Sequence, residues 1–422
     1  MALASIDDIR SRFPALRRTH GTHPVAYFDG PGGTQVPGEV PVAMADYLFN
    51  RNANAHWAFP TSAETERVRH QAREAMADLL GARAEEIVFG PNMTTLTYQL
   101  SRALGREMSP GDEIVVTELD HHANVDPWKA LAKERGATIR TLPLIPETGT
   151  LDLERFPELL GPRTRLVALG AASNALGTLT DVAPLARLAR AAGAMVFVDA
   201  VHLAPHRRIQ VEELSCDFLA CSPYKFYGPH MGVLWLRGDL LQEMDVPKLE
   251  PAPNEGPERF ESGTVSAEGM AGTTAAVDFL AGLGAEGGSL GKHHHADADA
   301  RPALLDQVFR ELVPREGALL ERLWNGLAAI PSVRLYGPSP SQDRTPTLSF
   351  TVEGVSPRKV SSRLADEQAA FLSHGDFYAL TLLRRFGLEP EGMIRAGISV
   401  YTTAEEVDRV VAGVEAMVER PT

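Results

Sequence analysis

The sequence predicts an α/β protein, a large domain on a mostly parallel sheet followed by a smaller α+β domain, and three observations predict it. Between about residues 63 and 237, apolar runs of strand length alternate with segments of helical period, the pattern of strands joined by crossover helices. A stretch at 281–300, rich in Gly, Ala and His, lacks apolar periodicity and reads as a loop between two folded parts. Beyond it the pattern changes to a long helix, short strands and further helices. A chain of 422 residues has room for two domains. The expected division is an N-terminal segment 1–24, a large domain 25–290 and a small domain 291–422.

Each element has a local reason. Strands are expected at Glu86–Phe89, Glu113–Thr117, Arg165–Leu169, Met195–Val198, Phe218–Cys221 and Gly232–Leu236, short apolar runs bounded by turn residues. Helices Ala63–Leu80 and Val182–Ala192 stop at Gly81 and Gly193, which leave a helix through the left-handed conformation at little cost. In the second part, a helix at Ala303–Ala329 precedes strands Val333–Tyr336 and Thr347–Val352 and a helix at Pro357–Asp366. The final helix opens on Thr403-Ala404-Glu405-Glu406, the spacing of a reciprocal capping box.

Composition excludes several classes. Hydrophobic residues make up 44% and charged residues 23%, a globular balance that rules out disorder and fibrous repeats. The 41 basic and 55 acidic residues leave a net charge of -14, and no basic patch reverses it, so neither nucleic acid nor an anionic membrane is an expected partner. Cys216 and Cys221 are too few for a disulfide framework and lack partners at zinc-ligand spacing. Asp7 and Asp8 stand where a secretory leader needs basic residues, and no apolar run approaches the ~18 residues of a membrane span. A cytoplasmic setting is expected.

The most informative windows are VFVDAVHLAPH, residues 196–206, and CSPYKFYGPH, residues 221–230. The first strand delivers Asp199 at its carboxyl end, and the next delivers Ser222, Tyr224 and Lys225 to the same edge, where open α/β sheets bind ligands. Taken singly, the Asp reads as a helix cap and the Lys as solvated surface. Together they suit pyridoxal 5'-phosphate, whose aldehyde needs an amine for a Schiff base and whose ring nitrogen needs a carboxylate.

These residues resemble the class V aminotransferase group of fold-type I pyridoxal-phosphate enzymes, closest to its cysteine desulfurase-like members, from about Tyr27 to Val418. The resemblance implies the fold-type I transferase fold, a homodimer and an amino-acid substrate. It makes Lys225 in S-P-Y-K the Schiff-base lysine and Asp199 the partner of the pyridine nitrogen. In TELDHHANVDPW, His121 matches the histidine that stacks on the cofactor ring. In GPNMTTLTYQL, Asn92, Met93 and Thr94 occupy the turn whose amides hold the phosphate, and a helix start suits a dianion on general grounds. Asn174 in GAASNALGT matches a residue touching cofactor or substrate. Thr264 in RFESGT matches one that reaches the phosphate of the neighbouring subunit, and Arg395 in MIRAGISVY matches the fork that takes the substrate carboxylate. His202 stands where the family often has Gln, and Tyr224 where it often has His; both can still donate hydrogen bonds.

One departure bears on the reaction. In SHGDFYALTLLRRFG, cysteine desulfurases carry a nucleophilic Cys in a G-x-x-C-A pattern, and here Tyr378 stands in its place, between Phe377 and Ala379. A phenol cannot hold sulfane sulfur as a persulfide, so the expectation is an enzyme of this family that is not an ordinary cysteine desulfurase. Aminotransferase, C–S lyase or β-eliminase, and epimerase chemistry all stay open. Two readings of other classes compete. Ser222-Pro-Tyr-Lys225 satisfies the S-x-x-K pattern of some serine hydrolases, but S-D-N and K-T-G are missing from the chain. A sulfur-pathway scaffold that lost catalysis would not need Lys225, Asp199 and Arg395 together. GGSLGKHHH lacks P-loop spacing. No metal ligand is assigned: His293–His295 with Asp297 and Asp299 have the chemistry to bind a metal, and in this Gly- and Ala-rich stretch the favoured reading is a flexible polar loop.

Overall fold

The computed structural model describes residues 3–284 and 300–419. The large sheet has seven strands: β1 Ile87–Gly90, β2 Glu113–Thr117, β3 Thr138–Leu142, β4 Thr164–Gly170, β5 Met195–Asp199, β6 Phe218–Cys221 and β7 Gly232–Leu236. Their order across the sheet is β1-β7-β6-β5-β4-β2-β3. Only β7 runs against its neighbours, antiparallel to both β6 and β1, so the sheet is mostly parallel as the alternating pattern requires. Six of these strands lie where the apolar runs place them. The seventh, β3, is absent from the sequence reading: it is an edge strand, TIRTL, with Leu142 alone buried, so no apolar run announces it.

Alternate side chains of the central strands feed two cores, one on each face. Val115, Val167, Val196, Val198 and Leu219 pack on one side, and Ile114, Val116, Leu166, Phe197 and Phe218 on the other. Each fully buried Val, Leu or Phe contributes roughly 1.5–3 kcal/mol of transfer free energy, so the strand ends rest on a stiff platform. The helix ends follow the sequence: Gly81 is left-handed at φ 64° and Gly193 at φ 87°. The first of these helices begins at Pro60, before the apolar period starts, because proline is well placed in a first turn.

The second sheet is antiparallel, with β8 Val333–Tyr336, β9 Thr347–Val352, β10 Ser373–Gly375 and β11 Met393–Gly397 in the order β8-β9-β11-β10. Helices Arg301–Ala328, Pro357–Gln368 and Ala404–Glu419 cover it through Leu323, Leu364 and Val410. The capping box forms: the Glu406 amide donates to Thr403 Oγ1 at 3.3 Å and the Thr403 amide to Glu406 Oε2 at 3.0 Å. Residues near the amino end tie the sheets together. Phe13 packs edge-on against Tyr227, Phe279 and Tyr401, while Ala26–Tyr27 pairs in parallel with Ala370–Phe371. The expected boundary near 290 and the His293–His295 loop with Asp297 and Asp299 lie outside the described residues. No helix among the described residues is long and apolar enough to cross a membrane.

Candidate active site

The carboxyl ends of the parallel strands converge on one cavity. β5 ends in Asp199, with Val201 and His202 just beyond; β6 leads to Ser222, Tyr224 and Lys225; β4 to Gly170, Ala172 and Asn174; β2 to Asp120, His121 and Ala123; β1 to Asn92, Met93 and Thr94. All of these line the cavity, together with Pro31. Ten of the residues singled out from the sequence therefore meet in one place: Asn92, Met93, Thr94, His121, Asn174, Asp199, His202, Ser222, Tyr224 and Lys225.

Two groups set its electrostatics. Burial raises the Asp199 carboxyl to about 6; the amide of Val201 donates to its Oδ1 at 2.9 Å and Lys225 pulls the other way. Burial and the neighbouring Arg395 lower the Lys225 ammonium to about 7, against the opposing pull of Asp199 and Asp29. Near neutral pH a substantial share of this lysine is a free amine, the form that attacks an aldehyde or takes up a proton. Its Nζ donates to the Pro31 carbonyl at 2.5 Å, while Ser222 Oγ accepts from the Met93 amide at 3.3 Å. Among the described residues Ser222 and Lys225 are joined only through the backbone, the Lys225 amide donating to the Ser222 carbonyl at 3.0 Å, and no hydrogen bond links Ser222 Oγ to Lys225 Nζ, so the S-x-x-K pair is not assembled as a hydrolase needs.

The helix Met93–Leu104 points its amino end at the cavity, with Asn92 Oδ1 accepting from the Thr95 amide at 2.8 Å as its cap. First-turn amides have no partner inside a helix and carry the positive end of its dipole, a fit for a phosphate. Gly232 keeps this turn close to β7: a Cβ there would stand 2.3 Å from the Asn92 carbonyl carbon. Burial lowers the His121 imidazole to about 4, and its Nδ1 accepts from the Ala123 amide at 2.9 Å, so a neutral ring faces the cavity. His202 is likewise held neutral by burial, its Nε2 beside the hydroxyls of Thr347 at 3.0 Å and Thr345 at 3.2 Å. Tyr224 lies flat against His230, with ring centroids 4.8 Å apart.

Three singled-out residues do not line the cavity. Arg395, on β11, is buried beside it: its Nη1 donates to the Asn174 carbonyl at 3.0 Å and its Nε to Ser373 Oγ at 3.2 Å. Burial lowers this guanidinium to about 9, which leaves it charged at neutral pH. Tyr378 is 71% exposed and stacks on His121, with centroids 5.4 Å apart and planes at 26°. Thr264 is exposed in this chain and does not line the cavity.

Sequence reasoning missed Asp120, Asp29 and Pro31. Asp120 is fully buried and pushed well above the usual carboxylate range by burial and by Asp199; it accepts from the Gly170 amide at 2.7 Å and from Asn124 Nδ2 at 3.3 Å. It lies three residues past the end of β2, whereas Asp199 is the last residue of its strand, so no apolar run points to it directly. Asp29 lies beside Arg395 and Lys225, with its Oδ1 buried and unpaired. Asn174 also leaves its Oδ1 buried and unpaired. A buried carboxylate at Asp199, a half-neutral lysine, a helix start and an unsatisfied amide oxygen fit pyridoxal phosphate with a substrate beside it.

The model of the "Aminotransferase class-V" family matches residues 26–310 and 303–410. The chain belongs to this family. It is 33% identical to a cysteine desulfurase of Pectobacterium atrosepticum over 97% of both chains, and 34% identical to one of Dickeya dadantii over 97% of this chain and 95% of that one. Among solved structures it is similar to the apo cysteine desulfurase of Thermococcus onnurineus NA1, with TM-score 0.86 and 28% identity over 99% of this chain and 100% of that one. It is also similar to the S-sulfonic acid form of the cysteine desulfurase CsdA from Escherichia coli, with TM-score 0.83 and 27% identity over 99% of each chain. The class-V family members are pyridoxal-phosphate-dependent enzymes of fold type I, and this chain is an enzyme of that kind.

Proposed function

We propose that the chain holds pyridoxal 5'-phosphate on Lys225 and acts on a carboxylate-bearing amino acid without the thiol relay of a cysteine desulfurase. The observation that carries this is the delivery of Asp199 and Lys225 by adjacent parallel strands into one cavity. When bound, the cofactor supplies an electron sink that weakens the bonds at the substrate α-carbon. Asp199 is placed to keep the ring nitrogen protonated, His121 to cover the ring, and Asn92, Met93, Thr94 and Ser222 to hold the phosphate. Lys225, lowered to about 7, is able to hold or release a proton at its Nζ near neutral pH. Arg395 supplies the carboxylate site, its charged guanidinium held by the Asn174 carbonyl, and the unpaired Asn174 Oδ1 beside the cavity is an acceptor for an N–H or O–H of cofactor or substrate.

The thiol relay is disfavoured by what stands at its position and by where the thiols are. Tyr378 occupies the loop, and both cysteines of the sequence are buried in or beside β6, where burial raises Cys216 to about 12 and Cys221 further still. Both are unpaired, which suits a reducing, cytoplasmic setting. β-Elimination or C–S cleavage, transamination and epimerisation differ in the bond broken, and product analysis across an amino-acid panel separates them. A homodimer belongs to the same reading, with Thr264 reaching the partner's phosphate site. Phe49 at 85%, Leu249 at 69% and Trp57 at 63% exposure offer apolar surface for it.

The test is direct. The purified protein should be yellow, and borohydride should fix the cofactor to Lys225; a label mapped to another lysine, or to none, rejects the assignment. Light scattering at micromolar concentration should give a dimer, and a strict monomer that retains cofactor and turnover removes Thr264 from the site.

A further inference from the structure

The turn Gly375–Tyr378 belongs to the small-domain sheet yet lies across the large-domain site. Phe377 and Tyr378 are both left-handed, at φ 54° and 55°, a conformation that side chains other than Gly, Asn and Asp adopt rarely. Two such residues in succession need outside support, and it is present. Asp376 Oδ1 accepts from the Tyr378 amide at 2.8 Å, the Tyr378 carbonyl accepts from the His122 amide at 2.7 Å, and the Phe377 carbonyl accepts from Asn174 Nδ2 at 2.9 Å. His122 Nε2 reaches Thr381 Oγ1 at 3.2 Å just beyond the turn.

The conformation aims both rings. Arg395 Cζ lies 4.2 Å from the centroid of Phe377, so the aromatic ring covers one face of the guanidinium. Tyr378 stacks on His121. Arg395 Nη1 donates to the Asn174 carbonyl, and Asn174 Nδ2 donates to the Phe377 carbonyl, which closes a ring of three residues contributed by β11, the loop after β4 and the turn. The other flank of the fork is open because Gly32 has no side chain: a Cβ there would stand 3.4 Å from Arg395 Nη2.

We propose that this turn is a two-pronged clamp, in which Phe377 is a positioning residue that sets the Arg395 fork for a substrate carboxylate and Tyr378 roofs His121 at the mouth of the cavity. The clamp selects ligands that carry a carboxylate next to the group reacting at the cofactor. It rests on the reading of Arg395 as the carboxylate site. Phe377 itself touches neither substrate nor cofactor and acts through the plane and reach of the guanidinium, so losing its ring weakens carboxylate selection without changing the reactivity of the cofactor.

Two carbonyl reagents test this on the holoenzyme without knowledge of the natural substrate: aminooxyacetate, which carries a carboxylate, and methoxyamine, which does not. Each displaces Lys225 from the cofactor in a stoichiometric reaction followed by visible absorbance. The wild type should favour aminooxyacetate, and Phe377→Leu should lower the ratio of the two trapping rates by ~5- to 10-fold, the scale of a partly desolvated cation–π contact. Phe377→Tyr should restore the ratio, and Tyr378→Ala should raise both rates together. Should Phe377→Leu fail to fold, Phe377→Met carries the same test with less change in volume. A wild-type preference that is lost in Arg395→Gln but kept in Phe377→Leu overturns the clamp and leaves the carboxylate reading standing. No preference in the wild type overturns that reading, and the clamp with it.

Discussion

The strand ends that carry Asp199 and Lys225 and the turn that carries Phe377 and Tyr378 serve one site by opposite means. Asp199 and Lys225 come from adjacent parallel strands with a core on each face. Phe377 and Tyr378 sit in left-handed backbone held by hydrogen bonds from two other segments, at His122 and Asn174, and by one within the turn from the Tyr378 amide to Asp376, and Tyr378 is mostly exposed. Chemistry that must not move is placed where packing density fixes it. Contacts that select a ligand are placed on a turn whose strain, roughly 1–3 kcal/mol per residue, is offset only while it stays docked.

The largest effect belongs to the strand edge. Lys225→Ala should reduce turnover at least ~10³-fold, since it removes both the covalent anchor and the proton carrier, while the fold persists because the side chain faces a cavity rather than the core. Comparing circular dichroism and thermal melting of the variant with its activity on a responsive amino acid checks this. Retained turnover would mean that another group holds the cofactor.

Next comes the pH dependence of stability in the cofactor-free protein. Asp199 titrates at about 6 when folded against 3.8 when free, so between those values the folded state holds the extra proton and stability falls as pH rises. Lys225 titrates at about 7 against 10.5, so between those values the unfolded state holds the extra proton and stability rises with pH. Asp199→Asn should flatten the first limb, worth on the order of 3 kcal/mol at most, and Lys225→Met the second. Urea midpoints from pH 4 to 10, read as differences between wild type and variant, measure both limbs. Identical pH profiles in all three proteins would show that the two groups are not buried together.

The turn can be disturbed by itself. Gly392, at φ 77°, abuts it so closely that a Cβ would stand 2.3 Å from the Gly375 carbonyl oxygen. Gly392→Ala should cost roughly 1–3 kcal/mol and displace the clamp, while borohydride labelling of Lys225 stays unchanged. A variant that loses cofactor attachment would show that the two regions are not independent.

The same contrast explains what the sequence reveals. Asp199 and Lys225 are legible because an apolar strand ending in a charged side chain states both where the residue sits and which way the chain runs. The Thr403–Glu406 cap is legible because its chemistry is local. Strand β3 is not, since a polar edge strand borrows its pairing from Glu113–Thr117, over twenty residues earlier. Asp120 hides beside two histidines that read as a turn, and only the assembled sheet shows that it is fully buried facing the site. The clamp is hidden entirely: no propensity puts Phe and Tyr in left-handed backbone, and its partners, Asn174 and His122, lie more than two hundred residues away.

The smallest effect is the one that decides between the turn and the thiols. If sulfur were relayed here as a persulfide, Cys216 or Cys221 would have to carry it, because the chain has no other cysteine. Neither is placed to do so. Cys221 is fully buried on β6 with its thiol pushed up by burial and by Asp199, and Cys216 is 2% exposed just before that strand. An attacking thiol must be ionised and must reach the sulfur it attacks. Replacing both, Cys216→Ala with Cys221→Ala, removes two buried sulfur atoms and should lower stability by about 1–2 kcal/mol through the small cavities left. Activity on the responsive substrate should stay within about twofold, below any effect expected for residues that touch the reacting atoms. Incubation with cysteine followed by mass spectrometry should find neither thiol carrying extra sulfur. A persulfide on either cysteine, with activity lost in the double variant, would return the sulfur-transfer role to the sheet and leave the turn as a cover alone.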